Sequence, residues 1–259
     1  MKIVVLVKHV PCTLRGMTFG ADHTLERAAR PGRLNEADEY AVDQARRIAR
    51  RRRDVQITAV TMGPAASAAA LRKALILGAD DAVHVLDDRL HGSDALATAR
   101  VLATAVDRLG FDLVLSGSAS SDAGMSAVPA MVAELLGVPV LCFADILRVR
   151  EQKVEIARDD GAGLQTYVAA LPAVVSITER CGEPLLPTLT ATLDAHHKLV
   201  HTWSLDDLGI AGNDAGGATT TIVRPVPADP AGRTQVLLAD DPAVAAIRLA
   251  DFLALHQFL

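Results

Sequence analysis

The stretch SGSASSDAGMSAVPAMVAELLG, residues 116–137, holds the side chains whose types and spacing could do chemistry. Its first half is small, polar and almost uncharged, and its second half has the apolar spacing of a helix. The apolar run DLVLSG leads directly into it, so a strand empties into a glycine-serine turn and the turn opens a helix. An uncharged helix N-terminus with free backbone N–H groups suits an anion, and Ser120, Ser121 and Ser126 offer hydroxyl donors. The segment has neither GK[ST] nor GxGxxG, so tight triphosphate–magnesium chemistry is not expected. A helix dipole supplies about 0.3–2 kcal/mol, whereas micromolar affinity needs about 8 kcal/mol. A phosphate at this mouth therefore needs a buried adenine and ribose to help hold it. On the residues alone, a loop-to-helix junction with serine caps accounts for the segment equally well. No GxSxG elbow is present and no His–Asp pair can be placed beside the hydroxyls, which argues against a nucleotide hydrolase.

The other reactive residues suggest less. His196 and His197 are adjacent, so on a helix they diverge by about 100°, a poor start for a metal site, and no metal is expected. Cys12, Cys142 and Cys181 are far apart and form no CxxC, which reads as a reduced, cytoplasmic chain. The N-terminal MKIVVLVKHVP is too short an apolar run for export or for crossing a membrane, and it reads as a buried first strand. The formal net charge of -5 argues against a nucleic-acid binder. The one dense basic run, ARRIARRRR at 45–53, reads as a solvated helix end facing the negative end of its dipole.

These residues must be positioned by the elements around them. Half of the 259 residues are hydrophobic but only 3% are aromatic, so the core is built from Ala, Leu, Val and Ile. Up to about residue 142, continuous apolar runs (KIVVLVK, DVQITAVTMG, DAVHVL, FDLVLSG) alternate with helical patterns. Asn35 is the expected N-cap of the first helix, with Asp38 close to a capping box; Ser93 or Asp94 caps the third. The alternation predicts an open, mostly parallel, twisted α/β sheet with helices on both faces, Rossmann-like and of the adenine-nucleotide-binding type. Ligands of such sheets sit beyond the carboxyl ends of the strands. Beyond residue 145 the helical period stops. VEIARDDGAGLQTYVAAL reads as a β-hairpin extending the sheet, PAVVSIT as a buried strand, and PTLTATLDAHHK as a short helix capped by Thr188 or Thr190. Residues 1–200 thus form an α/β domain with a hairpin region at 145–178. Residues 201–259 form an extended Gly-, Thr- and Pro-rich linker and a C-terminal helical arm with Leu249, Phe252 and Leu253 on one face.

Five stretches in register resemble the electron-transfer flavoprotein beta subunit: MKIVVLVKHVP, LNEADEYAVDQA, VTMGP…LRKALILGADDAVHV, VEIARDDGAGLQTYVAALPAVVSITER and CGEPLLPTLTATLDAHHK. The resemblance implies a heterodimer in which an alpha subunit holds most of an FAD and the beta chain itself catalyses no bond-making step, so no catalytic residue is assigned. It implies electron carriage from flavin dehydrogenases, such as acyl-CoA dehydrogenases, to a quinone oxidoreductase, with no membrane insertion of the chain itself. It also implies an AMP site, carried over to Leu6, Asn35, Met62, Gly63, Asp122, Ser126, Ala127 and Val128. The family's glutamine, its threonine or cysteine, and its second acid stand here as Ala127, Met125 and Gly124. Aromatic residues that the family often places near the flavin are Thr13 and Ala37 here. Leu189 aligns with a leucine by which the family grips dehydrogenases, but the preceding Arg-Tyr has become Leu185-Leu186, and later lysines have become Asp194 and His197. The alternative is a free-standing adenine-nucleotide sensor of the universal-stress-protein type.

Overall fold

In the computed structural model, residues 1–15, 17–27, 30–211, 220, 241–256 and 258 are described. Along the chain come β1 (Lys2–Leu6), β2 (His9–Pro11), β3 (Gly32–Leu34), α1 (Glu36–Arg51), β4 (Gln56–Met62), α2 (Ala68–Leu77), β5 (Asp81–Val85), α3 (Ala95–Leu109) and β6 (Leu113–Gly117). Then follow α4 (Val128–Leu136), β7 (Val140–Ala144), β8 (Ile146–Arg150), β9 (Lys153–Asp159), β10 (Leu164–Ala170), β11 (Ala173–Ile177), α5 (Leu189–His197), β12 (Val200–Trp203) and α6 (Pro242–Leu255).

The apolar runs are strands because both of their faces are buried. Ile3 and Val5 of β1 enter one hydrophobic cluster, while Val4 and Leu6 enter the other. The first cluster is closed by α1, α2 and α5 through residues such as Ala41, Leu71 and Ala195. The second is closed by α3 and α4 through Val101, Val106 and Val132. Between them lies a seven-stranded parallel sheet in the order β12-β5-β4-β1-β6-β11-β7. From β1 the chain builds outward to β4 and β5, then returns to place β6 on the other side of β1. The strand order therefore reverses between β1 and β6, which is where open α/β sheets take their ligands.

Several expectations are refined. The hairpin is present as β9 and β10, but with β8 it makes a separate antiparallel sheet instead of adding strands to the main one. The two-residue turn of Glu151 (φ 44°) and Gln152 between β8 and β9 lets the chain double back there before β9 and β10 do so again. Asp94 caps α3 by accepting from the Ala97 N–H at 2.8 Å, and Thr188 caps α5 by accepting from the Ala191 N–H at 3.1 Å. Sequence patterning gave no hint of the short β2–β3 pair that closes the loop over residues 12–31. Contacts divide the chain into two units, Met1–Thr221 and Ile222–Leu259. Most of the expected linker lies outside the described residues. In the second unit α6 is formed, and none of its residues is buried.

Candidate functional site at the carboxyl ends of β1 and β6

Two strand ends and the start of α1 are tied together by one buried carboxylate. Asp38 accepts from the Lys8 backbone N–H at 2.8 Å and from the Gly117 N–H at 3.0 Å, so it joins the second residue past β1 to the last residue of β6. The approach is close enough to dictate a glycine. A Cβ at Gly117 would lie 2.4 Å from Asp38 Oδ1 and 2.7 Å from the Ala37 carbonyl carbon. Asp38 is 5% exposed. Burial pushes its pKa up to about 7, against the opposing pull of the Lys8 N–H, the Asn35 side chain and the Gly117 N–H.

Asn35 occupies the N-cap position of α1, but its side chain makes no cap bond. It is spent on the next loop: its amide donates to the Ala119 carbonyl at 2.9 Å, and its carbonyl accepts from the Ser121 N–H at 3.1 Å. The expected capping box is therefore replaced by two tertiary clamps, Asn35 on the 119–121 loop and Asp38 on the strand ends.

Asp122 is held just as firmly. Its side chain has no exposed area, and it pairs with Lys8 Nζ at 2.7 Å and Arg27 Nε at 2.7 Å. Lys8 Nζ also donates to Ser120 Oγ at 3.2 Å. Burial alone would raise the Asp122 pKa, but Lys8, Arg27 and Ser120 together outweigh it and hold the carboxyl at about 2. Asp122 is thus an anchor that brings the 118–127 loop to Lys8 and Arg27, and it neutralises part of their charge.

Beyond Asp122 the chain turns through Gly124 and Ser126, both at positive φ (61° and 58°), before α4 begins. Ala127 at the α4 N-cap provides no side-chain cap bond, and Pro follows in the first turn. Beneath the loop, Ser116 of β6 is 5% exposed, and its hydroxyl has no partner. It pairs in register with Leu6 on one side and Ser176 on the other. By strand alternation it faces the side of the sheet covered by α3 and α4. An orphaned buried hydroxyl near an uncapped helix start fits a small polar ligand.

The sequence-assigned residues fall into two places. Leu6, Met62 and Val128 share the α3/α4-side cluster, and Asn35 and Asp122 shape the loop above it. Gly63 follows β4, bonded to the Val85 carbonyl at 3.2 Å and to His84 Nε2 at 2.9 Å, with φ of 156°. Ser126 and Ala127 are half-buried in the turn. Leu189 lies apart from them on α5, which packs on α2, and is 77% exposed. Thr13 is exposed, whereas Ala37 is 5% exposed and faces Gly117. Sequence reasoning missed Lys8, Arg27, Asp38 in its bridging role, and Ser116. For Lys8 and Ser116 a signal existed, since each is a polar residue at the carboxyl end of an apolar strand. Among the described residues, no cluster of three or more His, Cys, Asp or Glu could hold a metal ion, and no helix is long and apolar enough to cross a membrane.

Fold and site together define a doubly wound α/β protein whose switch point ends in an anion-suited mouth. Residues 22–208 match the electron transfer flavoprotein domain. Over 241 residues the chain is 38% identical to the electron transfer flavoprotein subunit beta of Mycobacterium tuberculosis, covering 89% of this chain and 90% of that one. The subunit beta of Megasphaera elsdenii is 32% identical over 222 residues (83% and 82%). Protein FixA of Bradyrhizobium diazoefficiens is 30% identical over 267 aligned positions (99% and 92%). The chain belongs to the electron transfer flavoprotein beta-subunit family, and with it to electron transport rather than to the universal-stress-protein sensors.

Proposed function

We propose that this chain is the beta half of a heterodimer, supporting an FAD held mainly by an alpha subunit. In this reading it passes electrons from flavin dehydrogenases, acyl-CoA dehydrogenases among them, towards a quinone oxidoreductase, as a cytoplasmic carrier with no bond-making catalysis of its own. The flavin supplies the redox chemistry; the protein supplies position, partner surface and electrostatics. The observation that carries the reading is the family match across residues 22–208, which takes in six of the seven strands of the main sheet, the 118–127 loop and α5.

The mouth is proposed to hold one AMP in a structural role. Backbone N–H groups around Ser126, Ala127 and Val128 would face the phosphate, with the Ser116 hydroxyl beneath and Leu6 and Met62 as apolar lining. Support comes from the orphaned Ser116 hydroxyl and the absence of a side-chain cap on α4. Asn35 and Asp122 act as positioning groups, because their polar atoms are committed to the loop. The exposed Leu189 is proposed as a dehydrogenase contact.

Co-expression with the gene of the candidate alpha subunit tests the whole reading. The expected product is a yellow heterodimer that releases one FAD and one AMP on heating, separable by chromatography. A colourless chain that stays monomeric beside that partner would sink the proposal. A yellow dimer without AMP would remove only the nucleotide.

A further inference from the structure

The basic run of α1 is more than a solvated helix end. Residues 182–188 have no regular structure, so their backbone groups need partners from elsewhere. Three residues of α1 supply them, and a fourth holds the residue just before the segment. Asp43, 2% exposed, accepts from the Leu185 N–H at 3.1 Å and pairs with Arg47. Arg47 donates onward to the Glu183 carbonyl at 2.7 Å, and Arg46 donates to the Leu185 carbonyl at 3.3 Å. Gln44 donates to the Cys181 carbonyl at 2.8 Å. The far end is tied by α2, where Arg72 donates to the Lys198 carbonyl at 2.8 Å, and by Lys198 itself, which donates to the Ala79 carbonyl at 2.6 Å.

The segment held in this way displays what a fold normally hides. Leu186 is 89% exposed, Leu189 77% and Leu193 57%. Leu189 and Leu193 are four residues apart on α5 and so share one helix face. Beside them runs a groove of about 240 Å³ lined by Tyr40, Leu77, Pro184 and Leu185, with Glu36, Glu39 and Lys73 as its charged residues. A backbone fixed by buried side-chain bonds, carrying apolar side chains left in water, is what a preordered anchor requires, because less ordering entropy is lost on binding.

We infer that Asp43 and Arg47 are positioning residues for partner docking: they hold the 182–188 backbone so that Leu186, Leu189 and Leu193 meet a flavin dehydrogenase in a ready-made arrangement. The inference rests on the proposed role of Leu189. The exposed leucines require that the dehydrogenase present an apolar hollow to them.

The test uses the co-purified heterodimer and, from a panel of acyl-CoA dehydrogenases, the one that reduces the wild type fastest. Hydrogen exchange of the peptide covering 182–198, the flavin absorption spectrum, and KM and kcat for reduction are compared for Asp43→Ala, Asp43→Asn and the double variant Leu186→Ala/Leu189→Ala. Asp43→Ala is expected to speed exchange about tenfold around Leu185 and raise KM about fivefold, with kcat and the flavin spectrum unchanged. Asp43→Asn keeps an oxygen for the Leu185 N–H and should recover most of both. The double leucine variant should raise KM without changing exchange. Unchanged exchange in Asp43→Ala overturns the inference. So does faster exchange with unchanged KM where the leucine variant does raise KM. If neither variant moves KM, it is the docking role of Leu189 that fails, and the inference with it; the exchange data still report whether α1 holds the segment.

Discussion

One helix serves two regions of this molecule with two buried acids. Near its start, α1 presents Asp38 to the mouth, where the carboxylate accepts the backbone N–H groups of Lys8 and Gly117. One and a half turns later it presents Asp43 to the 182–188 segment, where the carboxylate accepts one N–H and is also paired with Arg47. The mouth is closed in on itself, with Asn35, Asp38 and Asp122 all committed to neighbouring groups. The α5 region is tied down from below and leaves its leucines to solvent. The same device, a buried carboxylate on a backbone N–H, thus shapes an inward site in one region and an outward surface in the other.

The largest expected effect is on the inward side. Asp38→Ala leaves two buried N–H donors unpaired, at about 1–3 kcal/mol each, and should lower the thermal midpoint of the heterodimer more than any other single change here. The same residue gives the comparison a pH signature. Its folded pKa of about 7 lies above the ordinary 3.8, so the folded chain holds the extra proton between these values. Stability contributed by that proton is present at low pH and is lost as pH rises through the window. Asp38→Asn should flatten this slope between about pH 4 and pH 7. An unaltered slope would show that burial does not raise this acid.

Gly117→Ala comes next, at about 1–3 kcal/mol, because the new Cβ meets backbone at Ala37, which has little freedom to move. A thermal midpoint equal to wild type would mean that α1 can back away from β6. Asp122→Asn should cost about 1 kcal/mol, since Lys8 and Arg27 are partly solvated and tolerate losing the pair. Its acid limb should change as well. A carboxyl held at about 2 contributes stability above pH 3.8 that disappears as pH falls towards 2, and the variant should lack that loss. The smallest effect is expected for Ser116→Ala: stability within about 0.5 kcal/mol of wild type, but AMP retained about fivefold less tightly in equilibrium dialysis. Equal retention would detach Ser116 from the nucleotide. In all five variants, exchange around Leu185 should stay at the wild-type rate, because the two regions share a helix but no side-chain bond.

Most of the architecture was legible along the chain. The apolar runs around Val4, Val60, Val83 and Val114 read as strands buried on both faces, and the structure places them in one parallel sheet. Period 2 and period 3.6 are local properties of backbone geometry, so they survive in the sequence. The cap of α3 was legible for the same reason, since Asp94 acts three residues away. The site was legible only as a neighbourhood. Asn35 had a sound local role as an N-cap, and tertiary contact overrode it: the loop at 119–121 lies more than eighty residues away and offered it two bonds.

By itself, then, the sequence determined the alternation of strands and helices, the family through five motifs in register, and the strand-turn-helix that forms the mouth. Only the tertiary structure decided what the polar side chains do with one another. It brought Asp122 to Lys8 and Arg27, Asp38 to both strand ends and Asp43 to Leu185, and left Ser116 without a partner. The physical reason is range: secondary structure is set by groups within a few residues, whereas a buried carboxylate is satisfied by whichever donor the folded chain brings within about 3 Å, however distant in sequence.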